Sequence, residues 1–188
     1  MIGPMIFAAV VATLTVVQYD FMLRFGWRPL EDPGSGWPSG LALGPHGWLM
    51  NGAFVFAGVL LTVFAVGLHR GLGPGPKAGP ALLFLSGIAM ALLAIETDPI
   101  RRVGPRSWPG FIHDAAFAVF ALALLLSLLF LWRRMNGDSR WQSHAHFTLA
   151  AALVCGACLL LPGVAYYVFL AAALLWIEVT AVRLLRLF

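Results

Sequence analysis

Long apolar runs, separated by short polar or Pro- and Gly-rich segments, dominate this sequence. The run from Gly44 to Arg70 shows the pattern most clearly, because a turn-forming lead-in with His46 and Trp48 passes into apolar sequence that stops at a basic residue. An α-helix of about 20 apolar residues spans the roughly 30 Å hydrocarbon core of a bilayer. The run therefore predicts a transmembrane helix with its polar lead-in at one membrane surface.

The composition argues against a water-soluble domain. Hydrophobic residues make up 61% of the 188 residues and charged residues 11%, whereas soluble domains carry about 25% charged residues. Lipid is therefore the expected solvent for most of the exterior. The net charge of +4 comes from basic residues scattered between the apolar runs, which is typical of membrane-flanking positions. Nucleic acid is not an expected partner.

The runs predict an all-α, polytopic integral membrane bundle of six transmembrane helices, with residues 1–188 forming a single domain. The predicted spans cover residues 2–23, 48–69, 80–97, 110–132, 144–162 and 164–185. Of the 12 Lys and Arg residues, seven fall on the side that holds both termini and five on the other. This small bias favours cytoplasmic termini in a multi-pass protein of the cell membrane.

Two connections on one side of the predicted bundle differ from the others. Residues 24–47 form the longest connection and contain two tryptophans, two acids and several prolines, a composition that predicts a segment lying over the bundle at headgroup level. Residues 98–109 lie on the same side and carry Arg101, Arg102 and Arg106. We therefore expect any functional site to lie at this membrane face.

Polar side chains at the ends of several spans fall on this same face. Carboxylates are costly in hydrocarbon and tend to face a bundle interior or a wet cavity. The pattern predicts a ligand-binding pocket, with Arg101 and Arg102 at its rim as counterions or headgroup ligands. The residues predicted to line the pocket are Asp20, Asn51, Asp98, His113 and Asp114.

Two other interpretations of these residues stay open. Polar residues also gather at helix ends for structural reasons, with Asp98 or Asp114 acting as a cap. Alternatively, His113, Asp98 and Asp114 supply the imidazole and carboxylate ligands that a divalent metal binds. In this interpretation the protein is a metal-dependent hydrolase with a divalent metal as its cofactor. No spacing such as H-E-x-x-H supports this ligand set.

The two cysteines form a C-x-x-C sequence inside an apolar run, at Cys155 and Cys158. This spacing also occurs in redox-active proteins, but a membrane oxidoreductase needs further cysteines to pass electrons on. Small residues at helical spacing more often serve close contact between helices, and we favour that role here.

Two short motifs carry a resemblance to a known family. They are L-G-P-H-G-W-L at residues 43–49, and T-D-P at 97–99 followed by H-D at 113–114. Together with the helices around them, they resemble an uncharacterised prokaryotic family of six-span membrane proteins known only as a domain of unknown function. The resemblance implies six helices and a membrane location, and it assigns no catalytic residue.

The function that these patterns favour is binding of a small amphiphile or lipid headgroup in the polar pocket, with membrane lipids as partners. One alternative is a membrane-embedded, metal-dependent hydrolase. The other is a structural subunit whose small-residue faces pack against a partner membrane protein or a second copy of this chain.

Overall fold

The computed structural model describes residues 2–28, 31–34, 36–99, 104–161 and 163–187, and the regular structure in these ranges is helical. The all-α prediction is thereby confirmed. The elements in chain order are α1 (Ile2–Val17), α2 (Tyr19–Arg24), a 3₁₀ helix (Pro38–Leu43), α3 (Gly47–Gly71), α4 (Ala78–Leu92), α5 (Trp108–Asn136), α6 (Gln142–Leu159) and α7 (Ala165–Arg186).

Each predicted span overlaps a helix, although the boundaries differ from the prediction by a few residues, most clearly in the first and third spans. The first span is interrupted at Gln18, so that α1 and α2 replace one continuous helix. The third span ends at Leu92 rather than at residue 97. The Asp98-Pro99 step, six residues further on, limits how far the helix could extend, because the residue before a proline is disfavoured in the helical conformation.

Three of these helices, α3, α5 and α7, are long and apolar enough to cross a membrane by length and composition, and α1 and α4 are shorter apolar helices. Large apolar side chains also cover the outer faces of the bundle. Val59 on α3, Leu122 on α5 and Leu175 on α7 each expose more than half of their surface. Lipid tails cover such a surface without the cost of hydrating it, so the membrane character of the chain is confirmed.

From α3 onward, each helix packs against the next one in the sequence. The last helix, α7, also packs against α1, and α1 packs against α3, so that the helices close into a ring. Aromatic side chains pack against one another in the interior of this ring. The ring centroids of Phe7 and Phe54 are 5.7 Å apart, and those of Phe120 and Phe169 are 5.9 Å apart. These are distances at which aromatic pairs stabilise a core.

Small residues bring α3 and α4 together. A Cβ atom added to Gly58 would lie 2.5 Å from the backbone nitrogen of Ala91, and one added to Gly87 would lie 2.7 Å from that of Thr62. Backbones approach this closely only where side chains are absent, as is common between membrane helices.

The free thiols of Cys155 and Cys158, on α6, are also buried, as expected for the packing role that we favoured.

A buried polar network joins α6 and α7. His144 Nε2 lies 2.8 Å from Thr180 Oγ1, and Trp176 Nε1 donates a hydrogen bond to Thr148 Oγ1 at 3.0 Å. Thr180 in turn donates to the carbonyl of Trp176. Because these groups satisfy one another, their burial costs little, and the network fixes the register of α6 against α7.

Candidate functional site

A cavity of about 420 Å³ opens at the end of the bundle where α4 ends and where α5 and α7 begin. We call it the polar cavity. Its lining combines charged groups near the opening with aromatic groups below them. The lining residues are Trp37, Pro38, Ser39, Gly40, Phe54, Leu93, Thr97, Asp98, Pro99, Arg106, His113, Asp114, Phe117, Phe120, Tyr166 and Leu170.

Three of the side chains predicted for the pocket, Asp98, His113 and Asp114, line this cavity together. Asp20 is exposed on α2, and Asn51 is partly buried on α3, and neither contributes to the lining. Arg101 and Arg102, predicted at the rim, lie outside the described residues. A ligand-binding role for the whole set therefore stays a prediction.

His113 is held by the end of the neighbouring helix. Because α4 ends at Leu92, the carbonyl of Ile95 is free of helical hydrogen bonding, and it lies 2.8 Å from His113 Nδ1. The imidazole is only 3% exposed, and its ring meets that of Phe54 edge-on at 6.4 Å. The side chain is thus fixed in orientation on the wall of the cavity.

Asp98 lies against the N-terminus of α5. Its Oδ2 accepts a hydrogen bond from the backbone N–H of Ser107 at 3.1 Å, while the Ser107 hydroxyl caps the helix by accepting from the N–H of Gly110 at 3.0 Å. A Cβ atom on Gly110 would overlap the Asp98 carboxylate. The helix dipole favours a negative charge at this position, so Asp98 supports the start of α5 while it lines the cavity.

Asp114 forms an ion pair with Arg106 at the cavity opening. Arg106 Nη2 lies 2.5 Å from Asp114 Oδ2, and both side chains are 46% exposed. Sequence reasoning placed Arg106 in the correct loop but did not assign it to the pocket. No spacing rule links a loop arginine to a carboxylate eight residues later. An ion pair this exposed contributes about 0–1 kcal/mol, so separating its two side chains costs little.

The segment before α3 covers this end of the bundle, as the sequence predicted. Gln18, buried at the interruption between α1 and α2, donates to the carbonyl of Leu41 at 3.0 Å and accepts from the N–H of His46 at 2.8 Å. The N–H of Val164 donates to the carbonyl of Pro33 at 2.9 Å. The segment of residues 33–46, which we call the cover, is therefore hydrogen-bonded to the end of α1 through Gln18 and to the start of α7 through Val164.

Aromatic contacts complete the cover. Trp37 stacks on Tyr166 with ring centroids 4.8 Å apart, and Phe117 meets Tyr166 edge-on at 5.3 Å. Sequence reasoning did not select Tyr166 or Phe117, since aromatic residues at helical spacing are indistinguishable from ordinary core residues until the fold is known. These rings form the wall between the charged opening and the bundle interior.

A second cavity, of about 560 Å³, lies between α1, α3 and α7 and is lined almost entirely by apolar groups. It is partly open to the outer surface of the bundle, where its lining residues Ile2 and Val63 are more than 60% exposed. We call it the apolar cavity. Phe120 and Leu170 line both cavities, so the two spaces adjoin on either side of these side chains. The lining residues are Ile2, Gly3, Pro4, Phe56, Ala57, Leu60, Leu61, Val63, Phe64, Met90, Phe120, Leu124, Leu170, Ala173, Leu174, Ile177 and Ala181.

The predicted metal ligands share a cavity but not a coordination sphere. Among the described residues, no group of three or more His, Cys, Asp or Glu side chains is close enough together to hold a metal ion. Instead, His113 bonds to Ile95, Asp98 to the start of α5, and Asp114 to Arg106. A metal site made from these three residues would need each of them to change partners.

Comparison with known proteins places the chain in a family. The sequence model of a family described as "Protein of unknown function (DUF998)" matches residues 7–185. The resemblance to a family of unknown function that the sequence motifs suggested is thus confirmed. No curated protein and no solved structure matches the chain.

Proposed function

The chain belongs to the DUF998 family, whose description names no activity, and we propose from its own geometry that it binds a membrane amphiphile. The head group occupies the polar cavity and the hydrocarbon chain occupies the apolar cavity. The observation that carries this proposal is that the two cavities adjoin, because Phe120 and Leu170 line both of them.

The dimensions support this division. Tyr166 lines the polar cavity and Ala181 lines the apolar cavity, and 15 helical residues separate them by about 22 Å at 1.5 Å per residue. One leaflet of a bilayer provides about 15 Å of hydrocarbon. The two cavities together are long enough for a head group and one extended chain.

The affinity for an amphiphile depends on what its chain leaves behind in the bilayer. An acyl chain that leaves the bilayer for the apolar cavity exchanges one apolar environment for another, so its transfer contributes little free energy. Selectivity must therefore come from the polar cavity, where Arg106, His113 and Asp114 present charge and hydrogen-bonding groups. The apolar cavity sets which chains fit, and the polar cavity sets which head groups bind.

The proposal includes a topology. The six apolar helices, with α1 and α2 counted as one, cross the cell membrane as one domain. The termini lie in the cytoplasm, and the polar cavity opens at the opposite membrane face. Membrane lipids are the primary partners in this proposal. Single-cysteine labelling from each side of sealed vesicles tests it, and labelling of residues 46 and 138 from the same side would contradict it.

A pair of substitutions on α7 tests the binding proposal. Leu170→Trp inserts a large ring where the two cavities adjoin, whereas Val168→Trp places the same ring on a side chain that is 50% exposed at the outer surface. Native mass spectrometry of detergent-purified protein should show retained lipid in the wild type and in Val168→Trp, and little in Leu170→Trp. Absence of retained lipid in the wild type would overturn the proposal.

A further inference from the structure

We propose that His113 selects the head group by accepting a hydrogen bond, through Nε2, from a hydroxyl or ammonium donor of the ligand. This inference rests on the proposed function and narrows the ligand class. The amphiphile carries an O–H or N–H donor near the junction between its head and its chain.

The tautomer of His113 follows from its contact with α4. A carbonyl oxygen can only accept a hydrogen bond, so the Nδ1 atom that lies 2.8 Å from the Ile95 oxygen must carry the proton. In the neutral imidazole, Nε2 then bears a lone pair and acts as an acceptor. The end of α4 thereby fixes both the ring orientation and the chemical character of the other nitrogen.

The position of Nε2 suits a ligand. His113 lines the polar cavity, and Nε2 is on the opposite edge of the ring from the Ile95 contact. Among the described residues, the hydrogen bond of the His113 ring is made by Nδ1, and Nε2 has no partner. Nε2 is also absent from the fully buried atoms that lack a partner, so it keeps some accessible surface, as expected for an atom that faces the cavity. An acceptor on a side chain that is 3% exposed meets little competition from bulk water.

The depth of His113 locates the ligand's donor group. Phe120, on the wall shared with the apolar cavity, follows His113 by seven residues of α5, or about 10 Å along the helix. The Arg106–Asp114 ion pair is nearer to the opening and is half-exposed. Charged parts of a head group therefore meet the ion pair, while a donor at the head–chain junction meets Nε2.

Paired ligands provide the first test, and they need no protein variant. One pair is a monoacylglycerol and its di-O-methyl ether, and the other is a long-chain primary alkylammonium and its trimethylammonium counterpart. In each pair, methylation removes the donor and leaves the chain unchanged. Titration of the wild type in detergent should show that methylation weakens binding on the order of tenfold in at least one pair, the size expected for one lost hydrogen bond. The pair that responds identifies the donor as hydroxyl or ammonium.

Substitutions at His113 provide the second test. In His113→Asn, the amide nitrogen takes the place of Nδ1 and keeps a donor for Ile95, but no acceptor replaces Nε2. This variant should bind both members of the responding pair equally, at the affinity of the methylated compound. In His113→Gln, the amide reaches the position of Nε2, and part of the preference should return.

The outcomes separate the two proposals. If the wild type binds all four compounds but prefers neither unmethylated member, or if His113→Asn keeps the preference, the role of His113 is wrong and amphiphile binding stands. If the wild type binds none of the four compounds, amphiphile binding fails as well. A wild type without the preference overturns the role of His113 even if His113→Asn does not fold. If the wild type shows the preference, the variants must assign it to His113, because Asp98 and Asp114 in the same cavity also accept hydrogen bonds, and His113→Gln serves for this if His113→Asn does not fold.

Discussion

Substituting Gly58 by alanine should separate α3 from α4 and destabilise the protein. The new Cβ would lie 2.5 Å from the Ala91 nitrogen and 2.6 Å from the Gly87 oxygen, whereas ordinary contacts begin at 3.4 Å. Both neighbours are backbone atoms, so the helices themselves must move by about 1 Å, and overpacking of this kind costs about 1–3 kcal/mol. The better helix propensity of alanine returns up to about 1 kcal/mol. With that gain in full, we expect a net loss of up to about 2 kcal/mol relative to the wild type.

Two glycines of the same helix provide matched controls. A Cβ on Gly52 or Gly67 would have no neighbour within 4 Å, so alanine there should be neutral or slightly stabilising. Thermal unfolding in detergent, followed by circular dichroism, should show a melting temperature lower by several degrees for Gly58→Ala alone, at about 2–4 °C per kcal/mol for a chain of this size. Equal melting temperatures for Gly58→Ala and Gly52→Ala would refute the close packing of α3 on α4.

Three further predictions concern the cover, the start of α5 and the opposite loop. Gln18→Leu removes the side chain that holds the segment before α3 in place. It leaves the buried carbonyl of Leu41 and the part-buried N–H of His46 without their partner, so it should lower stability by about 1–3 kcal/mol; unchanged thermal unfolding would contradict this. Gly110→Ala displaces Asp98 from the start of α5 and should weaken amphiphile binding in the titration above more than Gly52→Ala does, and equal binding would count against the site. Hydrogen bonds from Arg140 lower the pKa of Asp138, so Asp138 stabilises the fold above its unfolded pKa and loses this contribution as the pH falls. Asp138→Asn should therefore be less stable than the wild type at pH 7, and the difference should shrink between about pH 5 and pH 2; a difference that does not change with pH would contradict this.

Helix positions were predictable because bilayer thickness imposes a length and a composition on each apolar run. The helix break at Gln18 was not, since a single glutamine in an apolar run carries no periodic signal. Its role depends on two backbone groups from the segment before α3, Leu41 and His46, that arrive only when the chain folds. The Asp98-Pro99 step marks the latest residue at which α4 can end, but neither its earlier end at Leu92 nor the contact between Ile95 and His113 is visible in the sequence.

The candidate site was predictable only in part, for a related reason. Carboxylates and histidine at span ends stand out against apolar sequence, so Asp98, His113 and Asp114 were found together. The aromatic wall was missed, because Tyr166 and Phe117 look like ordinary core residues. The apolar cavity was also missed, since its volume depends on the gap that side chains of five helices leave between them, and no residue pattern predicts such a gap.

Photo-crosslinking can measure whether the two cavities form one groove. A donor-headed amphiphile with a photoreactive group at the end of its chain would be bound to the purified protein, irradiated and mapped by peptide mass spectrometry. We expect labelling of Ile177 and Ala181, which line the apolar cavity, and we expect an excess of unlabelled amphiphile to abolish it. Labelling confined to residues outside the apolar cavity, such as Leu175, and insensitive to competitor, would contradict a chain bound in that cavity.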